Sequence, residues 1–311
     1  MIKGDLKAPG LQIGNLQPFS RARFCNPGLF KRCCLVPSAI AAMKSRTLAL
    51  LSLFVIPSAW SGEDSAPKGH LIIHGGGQLT TEVIDRFIEL GRGAEGHLIY
   101  VPTSNGDEDG TSLSTVPGYL RPEKFGKVSV LHTRDPKIAD TEGFIEPLKT
   151  ATAVWFSGGR QWRTMDAYLG TKTAAAFQAV YRRGGVIGGS SAGATVQGSF
   201  LVRGAPEGNQ VMMAEGHLEG FGFLPDSAID QHAIVRKRLD DMIPVIETHP
   251  HLLGIAIDEA TALEVSGGCA RVLGKTKVAI FDAQRWKKGQ PRYFFLEKGQ
   301  RFALATRQLL P

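Results

Sequence analysis

Residues 153–188 read AVWFSGGRQWRTMDAYLGTKTAAAFQAVYRRGGVIG. Ala153-Val154-Trp155-Phe156 is a short apolar run closed by Ser157-Gly158-Gly159, and Gly185-Val186-Ile187-Gly188 is a second such run. Between them, Gln161 to Arg183 space their apolar side chains as two helical pieces. The same alternation extends outward. His70–His74 predicts a strand ending in Gly75-Gly76-Gly77, Thr81–Leu90 a helix, His97–Val101 a strand stopped by Pro102, and Ser104–Pro122 a long surface loop. Val128–Leu131 then reads as a strand and Thr141–Lys149 as a helix. Alternating strands and helices predict an α/β fold, a three-layer α/β/α sandwich with a mainly parallel sheet whose ligands lie at the carboxyl ends of the strands. Beyond residue 260 the runs Ala262–Val265, Cys269–Leu273, Val278–Phe281 and Tyr293–Leu296 follow one another without helices, which predicts an antiparallel extension of the same domain, residues 69–311.

The chain has 311 residues, 43% of them apolar and 21% charged, a composition that excludes collagen, coiled coil and disorder. Its net charge of +7 is confined to the beginning: residues 1–61 carry eight basic side chains against Asp5 alone, while the other 250 residues hold 28 of each sign. A nucleic-acid-binding surface is therefore not expected on the body of the protein. From Met43 to Ser61 a charged start, an apolar run from Thr47 to Ile56 and a small-residue site around Ala59 and Ser61 match a signal peptide. Export to the periplasm or beyond is the expectation, with residues 1–61 as leader and no stable membrane anchor, since no apolar run reaches the roughly 20 residues that span a bilayer. Three of the four cysteines, Cys25, Cys33 and Cys34, fall in that leader, so the body, with Cys269 alone, has no intrachain disulfide and no cysteine metal site.

The sharpest local feature is Val186-Ile187-Gly188-Gly189-Ser190-Ser191-Ala192-Gly193-Ala194. Gly189 and Gly193 frame Ser191 in the G-x-S-x-G spacing, where small neighbours let a strained strand-to-helix turn expose a hydroxyl, with a helix expected to continue over Thr195–Gly198. The bland alternative is a tight turn with a solvated serine. A nucleophilic serine needs a base. His232 stands at a strand end, Ser227–His232, dense in polar groups and followed by an expected helix carrying Arg236 and Arg238. His249 and His251 flank Pro250 without an evident third metal ligand, and His74 ends the first strand. A carboxylate should orient the imidazole. Asp258 and Glu259 at the end of the buried run Leu253–Ile257 are equal candidates, with Asp230 a third.

Phe156-Ser157-Gly158-Gly159-Arg160-Gln161, Gly189 to Ala194, Ile229-Asp230-Gln231-His232 and Gly254 to Glu259, taken in that order, resemble the cyanophycinases, serine peptidases grouped with the aspartyl dipeptidases. The resemblance runs from about residue 69 to Asp282. It implies a class I glutamine-amidotransferase-like fold, a triad of Ser191, His232 and Glu259, and oxyanion donors at the Gly159 and Ala192 amides. It also implies substrate contacts from Gln161, Asp230, Gln231, Arg236 and Arg238, where guanidinium forks would bind carboxylates. The implied substrate is cyanophycin, a poly-aspartate carrying arginine on each β-carboxyl, released as β-Asp-Arg dipeptides without metal or organic cofactor.

Two departures bear on that substrate. Arg160 stands where cyanophycinases usually carry an acid, and Asp241 where a further arginine is expected; each reverses a charge near the cleft, an effect of up to about several kcal/mol. Ser190, where threonine is frequent, is a milder change. Short aspartyl or isoaspartyl peptides are thus an alternative substrate, and a secreted non-catalytic binding protein on the same scaffold is the alternative outside enzymology. A lipase-like hydrolase is disfavoured, because its acid precedes its histidine in the chain. The expected partner is an aspartate-rich peptide or polymer, with a homodimer as the candidate assembly.

Overall fold

The computed structural model describes residues 67–106 and 110–311. The leader, its signal-peptide motif, Cys25, Cys33 and Cys34 lie outside the described residues, as do 107–109 of the predicted surface loop. The strands in chain order are β1 (His70–His74), β2 (His97–Val101), β3 (Lys127–Val130), β4 (Ala153–Phe156), β5 (Val186–Ser190), β6 (Gly198–Phe200) and β7 (Leu224–Gln231), followed by β8 (Leu253–Ile257), β9 (Thr261–Ser266), β10 (Cys269–Gly274), β11 (Val278–Asp282), β12 (Phe294–Leu296), β13 (Arg301–Ala303) and β14 (Gln308–Leu310). The helices are α1 (Thr81–Leu90), α2 (Pro136–Ala139), α3 (Glu142–Ile145), α4 (Gln161–Tyr168), α5 (Lys172–Arg182), α6 (Ala192–Thr195) and α7 (Met242–Thr248).

Among the described residues the strands form two sheets. The larger has the order β14-β13-β10-β9-β1-β5-β4-β2-β3. Its strands from β1 to β3 are mutually parallel, and β9 turns antiparallel against β1. The smaller has the order β12-β11-β8-β7-β6, with β6, β7 and β8 parallel and β11 and β12 antiparallel. The C-terminal strands read from the sequence as one extension are therefore divided: β9 and β10 extend the large sheet, and β11 and β12 complete the small one. No helix among the described residues is long and apolar enough to cross a membrane.

Strand alternation sorts the core into layers. On one face of the large sheet Ile72, Leu98, Trp155 and Val186 pack with Val83, Ile84 and Phe87 of α1. Thr80 caps that helix by accepting the Val83 N–H, a contribution of roughly 1 kcal/mol, whereas each buried α1 side chain contributes about 1.5–3 kcal/mol, so packing rather than the cap holds it in place. On the opposite face Leu71, Ile73, Val154, Phe156 and Ile187 meet both the α4–α5 layer and the inner face of the small sheet, Ile229, Ile255, Ile257, Val278 and Ile280. The outer face of the small sheet, with Ala228, Ala256, Ala279 and Phe281, is covered by Met242, Val245 and Ile246 of α7.

Two helical expectations are corrected. Only one helical turn, α6, follows Ser191, because Gly198-Ser199-Phe200 is taken into the small sheet beside β7. The segment after His232 is a series of turns, with Lys237 at φ +54°, until Leu239–Asp241 leads into α7.

His97 on β2 is buried between two hydroxyls, its Nδ1 2.8 Å from Thr150 Oγ1 and its Nε2 2.9 Å from Ser129 Oγ. Burial, aided by Lys127, pushes its pKa from 6.5 to about 4. In that interval the unfolded chain binds a proton that the folded chain refuses, so this contribution to stability is complete above pH 6.5 and is lost as the pH falls toward 4. The thermal midpoint should drop across that window and the drop should be shallower in His97→Asn; an unchanged slope in the variant would remove His97 as its source.

Candidate active site

The site lies where the carboxyl ends of parallel strands from the two sheets meet. β5 ends at Ser190, and the next residue, Ser191, sits in a sharp turn at φ +56°, ψ −112°. Gly189 and Gly193 permit this turn: a Cβ on Gly189 would fall 2.2 Å from the Gly193 carbonyl oxygen, and one on Gly193 2.2 Å from that of Phe156. Small-residue spacing around the serine thus reflects contact of β5, α6 and the end of β4. In the small sheet β7 and β8 are paired so that Gln231 lies opposite Ile257, and the chain leaves both strands at one level, at His232 and at Asp258-Glu259.

Ser191 Oγ lies 2.9 Å from His232 Nε2, and His232 Nδ1 lies 2.5 Å from Glu259 Oε1. Hydroxyl donation to Nε2 places the ring proton on Nδ1, whose N–H donates a hydrogen bond to the carboxylate. Asp258 points elsewhere: its Oδ1 accepts the amides of Ile234 and Val235 at 3.0 and 2.9 Å, fixing the turn that follows His232. Two adjacent acids that sequence left equal are separated by direction alone. Burial lowers the pKa of His232, the hydrogen bond to Glu259 opposes this, and Arg236 and Arg238 push it down further. The imidazole is consequently neutral at neutral pH and able to take a proton.

A backbone strap joins these parts. The carbonyls of His74, Gly75 and Gly76, in succession, accept the amides of Ser191 at 3.0 Å, His232 at 2.9 Å and Ala260 at 2.9 Å. Gly76, at φ +109°, passes so close beneath the imidazole that a Cβ there would fall 2.2 Å from His232 Cε1, and one on Gly77 would fall 2.7 Å from Glu259 Oε2. Sequence reading noted the three glycines but not their partners.

Gly158 and Gly159 leave β4 beside Ser191, a Cβ on Gly158 lying 3.5 Å from that of Ser191. Neither the Gly159 nor the Ala192 amide donates a hydrogen bond within the described residues. Ala192 follows Ser191 directly in the chain, and Gly159 follows the Gly158 that approaches it. His249 lies against Phe200 and edge-on to His251, and no group of three or more His, Cys, Asp or Glu among the described residues is placed to hold a metal ion.

Of the expected substrate contacts, several are engaged within the protein. The Gln161 side-chain amide donates to the carbonyls of Val202 and Arg203 at 2.9 and 2.7 Å. Asp230 is fully buried and both its oxygens are held by Arg203, at 2.8 and 2.9 Å. Arg203 also donates to Asp241 at 2.7 Å and to the Asn209 carbonyl at 2.7 Å, while Arg160 donates to the Asn209 side chain. Burial alone would lower the pKa of Arg203, but Asp230 and Asp241 hold it above its ordinary value. Arg203 is the residue that sequence reasoning missed; its one signal is a charge directly after Leu201-Val202. Arg238 is buried against Gln231, and Arg236 is exposed on the turn beyond His232.

Residues 71–273 match peptidase family S51. A cyanophycinase of Synechococcus elongatus is 30% identical over 232 residues, 71% of this chain and 70% of that protein. A cyanophycinase of Geminocystis herdmanii (strain PCC 6308) is 28% identical over 207 residues, 65% of this chain and 75% of the relative. A peptidase from an acI-B1 Actinobacterium superposes with a TM-score of 0.56 at 21% identity, over 76% of this chain and 97% of its own, and shares the fold. With two sheets of this topology, and a family match across most of the described residues, the chain belongs to peptidase family S51 and is a serine peptidase.

Proposed function

We propose that the protein hydrolyses aspartyl peptide bonds through an acyl-enzyme on Ser191, with cyanophycin as substrate and β-Asp-Arg dipeptides as product. The observation that carries the reading is the continuous line from Ser191 Oγ to His232 Nε2, 2.9 Å, and from His232 Nδ1 to Glu259 Oε1, 2.5 Å. The names of the relatives supply the substrate class.

In the first half-reaction Ser191 Oγ bonds to the scissile carbonyl carbon as its proton passes to His232 Nε2, and Glu259 stabilises the resulting imidazolium. Negative charge collects on the former carbonyl oxygen, which the amides of Gly159 and Ala192 receive; one such donor is worth roughly 3 kcal/mol of barrier. The C–N bond breaks as His232 returns the proton to the leaving amine. Water then attacks the acyl carbon, giving a proton to His232, and the Ser191 oxygen departs with that proton. These steps use the chain's own side chains and amides. Arg236, exposed beyond His232, would bind substrate carboxylate, with buried Arg238 behind it against Gln231, and export by way of residues 43–61 belongs to the same proposal.

A second reading, short aspartyl or isoaspartyl peptides, is favoured by Arg160, which sets a cation beside Gly159 where an arginine-bearing polymer would meet repulsion. Incubation with purified cyanophycin and with aspartyl peptides, followed by mass spectrometry, separates the two. β-Asp-Arg from the polymer supports the first, and cleavage of the peptides alone supports the second.

Ser191→Ala should lower turnover by at least about a thousandfold with the fold intact, and a fluorophosphonate should label wild type at Ser191 but not the variant. Retained hydrolysis in the variant would exclude the acyl-enzyme. Because the pKa of His232 is lowered, the acid limb of kcat/KM should have its midpoint below the ordinary 6.5. Arg236→Gln should move that midpoint upward by a fraction of a pH unit, and high salt should do likewise by screening; a downward move would contradict the electrostatic assignment. Gly76→Ala should reduce kcat by about a hundredfold or more by displacing the imidazole. Wild-type kcat in that variant would mean that the strap does not set the position of His232.

A further inference from the structure

Resting on the reaction proposed above, we infer that His74 is a positioning residue: its buried imidazole locks the strap whose carbonyls hold the Ser191, His232 and Glu259 segments in register. The ring is 0% exposed at the carboxyl end of β1. Its Nδ1 accepts the Gly76 N–H at 3.3 Å, so the ring proton sits on Nε2 and Ser190, 2.9 Å away, must give its hydroxyl hydrogen to the same nitrogen. One side chain therefore ties the residue preceding Ser191 to the glycine beneath His232. The main chain repeats the connection, with the 74–76 carbonyls receiving the amides of Ser191, His232 and Ala260. Those three recipients all have positive φ, +56°, +55° and +54°, conformations that non-glycine residues adopt only when their surroundings impose them.

The other ring nitrogen is informative. His74 Nε2 is buried and has no hydrogen-bond partner among the described residues. If the ring served only to fill space, an aliphatic side chain, such as the neighbouring Leu71, Ile72 and Ile73, would do so without burying an unmatched donor. A histidine here is useful through Nδ1. Burial, with help from nearby His232, pushes the pKa of His74 to about 4, so the ring stays neutral when His232 becomes cationic during acyl transfer.

The test compares His74→Asn with His74→Leu in the full chain. Asparagine keeps a side-chain oxygen that can accept the N–H two residues on, as in an Asx-turn, and leucine does not. His74→Leu should lose roughly 10- to 100-fold in kcat with KM changed by less than about twofold, and fluorophosphonate labelling of Ser191 should slow in parallel while reaching the wild-type end point. His74→Asn should restore most of the rate. Ser190→Ala, which keeps the ring but removes one of its two donors, should lower kcat severalfold at unchanged KM and serves if the leucine variant does not fold. Wild-type kcat in either His74→Leu or Ser190→Ala, or equal loss in the asparagine and leucine variants with a reduced labelling end point, would overturn the positioning role. Wild-type protein that takes no label at Ser191 would overturn the proposed reaction itself, a result separate from labelled wild type with indifferent variants.

Discussion

Three consecutive carbonyls at the end of β1, those of His74, Gly75 and Gly76, hold the site together. Each accepts an amide from a different part of the chain, and each of those parts carries one member of the Ser191, His232 and Glu259 set or its immediate neighbour. Side chains separated by 41 and 27 positions could in principle reach one another in many arrangements. A succession of backbone hydrogen bonds anchored at the end of β1 narrows these, since a carbonyl held in place leaves its donor little latitude in distance or angle. The glycines follow from this geometry: a strap that must touch both an imidazole and a carboxylate has no room for a Cβ.

The strap works only because the two sheets are themselves in fixed register. β1 belongs to the large sheet, and His232 and Glu259 lie just past β7 and β8 of the small one, so the interface between Leu71, Ile73, Phe156 and Ile187 on one side and Ile229, Ile255 and Ile257 on the other sets the distance across the site. Packing at crystalline density makes that distance stiff. A one-residue slip of β7 or β8 would exchange their isoleucines for the alanines of the outer face and turn the end residues away from the serine. Catalytic geometry and core packing are here the same constraint, viewed from the strand ends and from the strand middles. Backbone strain at Ser191, His232 and Ala260, about 1–3 kcal/mol for each such residue, is sustained by this surrounding order.

Much of this was legible in the sequence, and the illegible parts share a cause. Short buried runs such as Ala153–Phe156 and Leu253–Ile257 announce strands because an apolar run of this length, closed by turn-forming or polar residues, is too short for a buried helix. The glycines around Ser191 announce an elbow because a chain that turns so sharply needs small neighbours. Failures begin where tertiary context overrides local pattern. Gly198-Ser199-Phe200 continues no helix because a sheet edge captures it. The turns after His232 depend on a carboxylate, Asp258, that lies just past the end of β8. The choice between Asp258 and Glu259 could not be read from residue type or spacing, since it rests on which way each side chain leaves the same corner. Carbonyl contacts of the strap have no side-chain signature at all, and Arg203 is a lone cation whose two acidic partners lie 27 and 38 positions away.

Arg203 also changes what the charge reversals near the cleft mean. Asp241 looked from the sequence like a negative charge facing substrate, yet it shares the Arg203 guanidinium with Asp230. Arg203 and Arg238 together balance Asp230 and Asp241, so this group is close to neutral and its cohesion is internal, where loss of one partner would strand a buried charge. Under the proposed reaction the charges left for an arriving substrate to meet are Arg236, exposed beyond the imidazole, and Arg160, half-buried next to Gly159. Guanidinium groups there would bind carboxylate near the scissile bond, whether that carboxylate is a free aspartyl side chain or the α-carboxylate of an arginine hung on a polymer. Under the proposed reaction these groups therefore recognise the anion common to both substrates, and discrimination between them falls to whatever meets the second, cationic end of the polymer's side chain, at which Arg160 is repulsive.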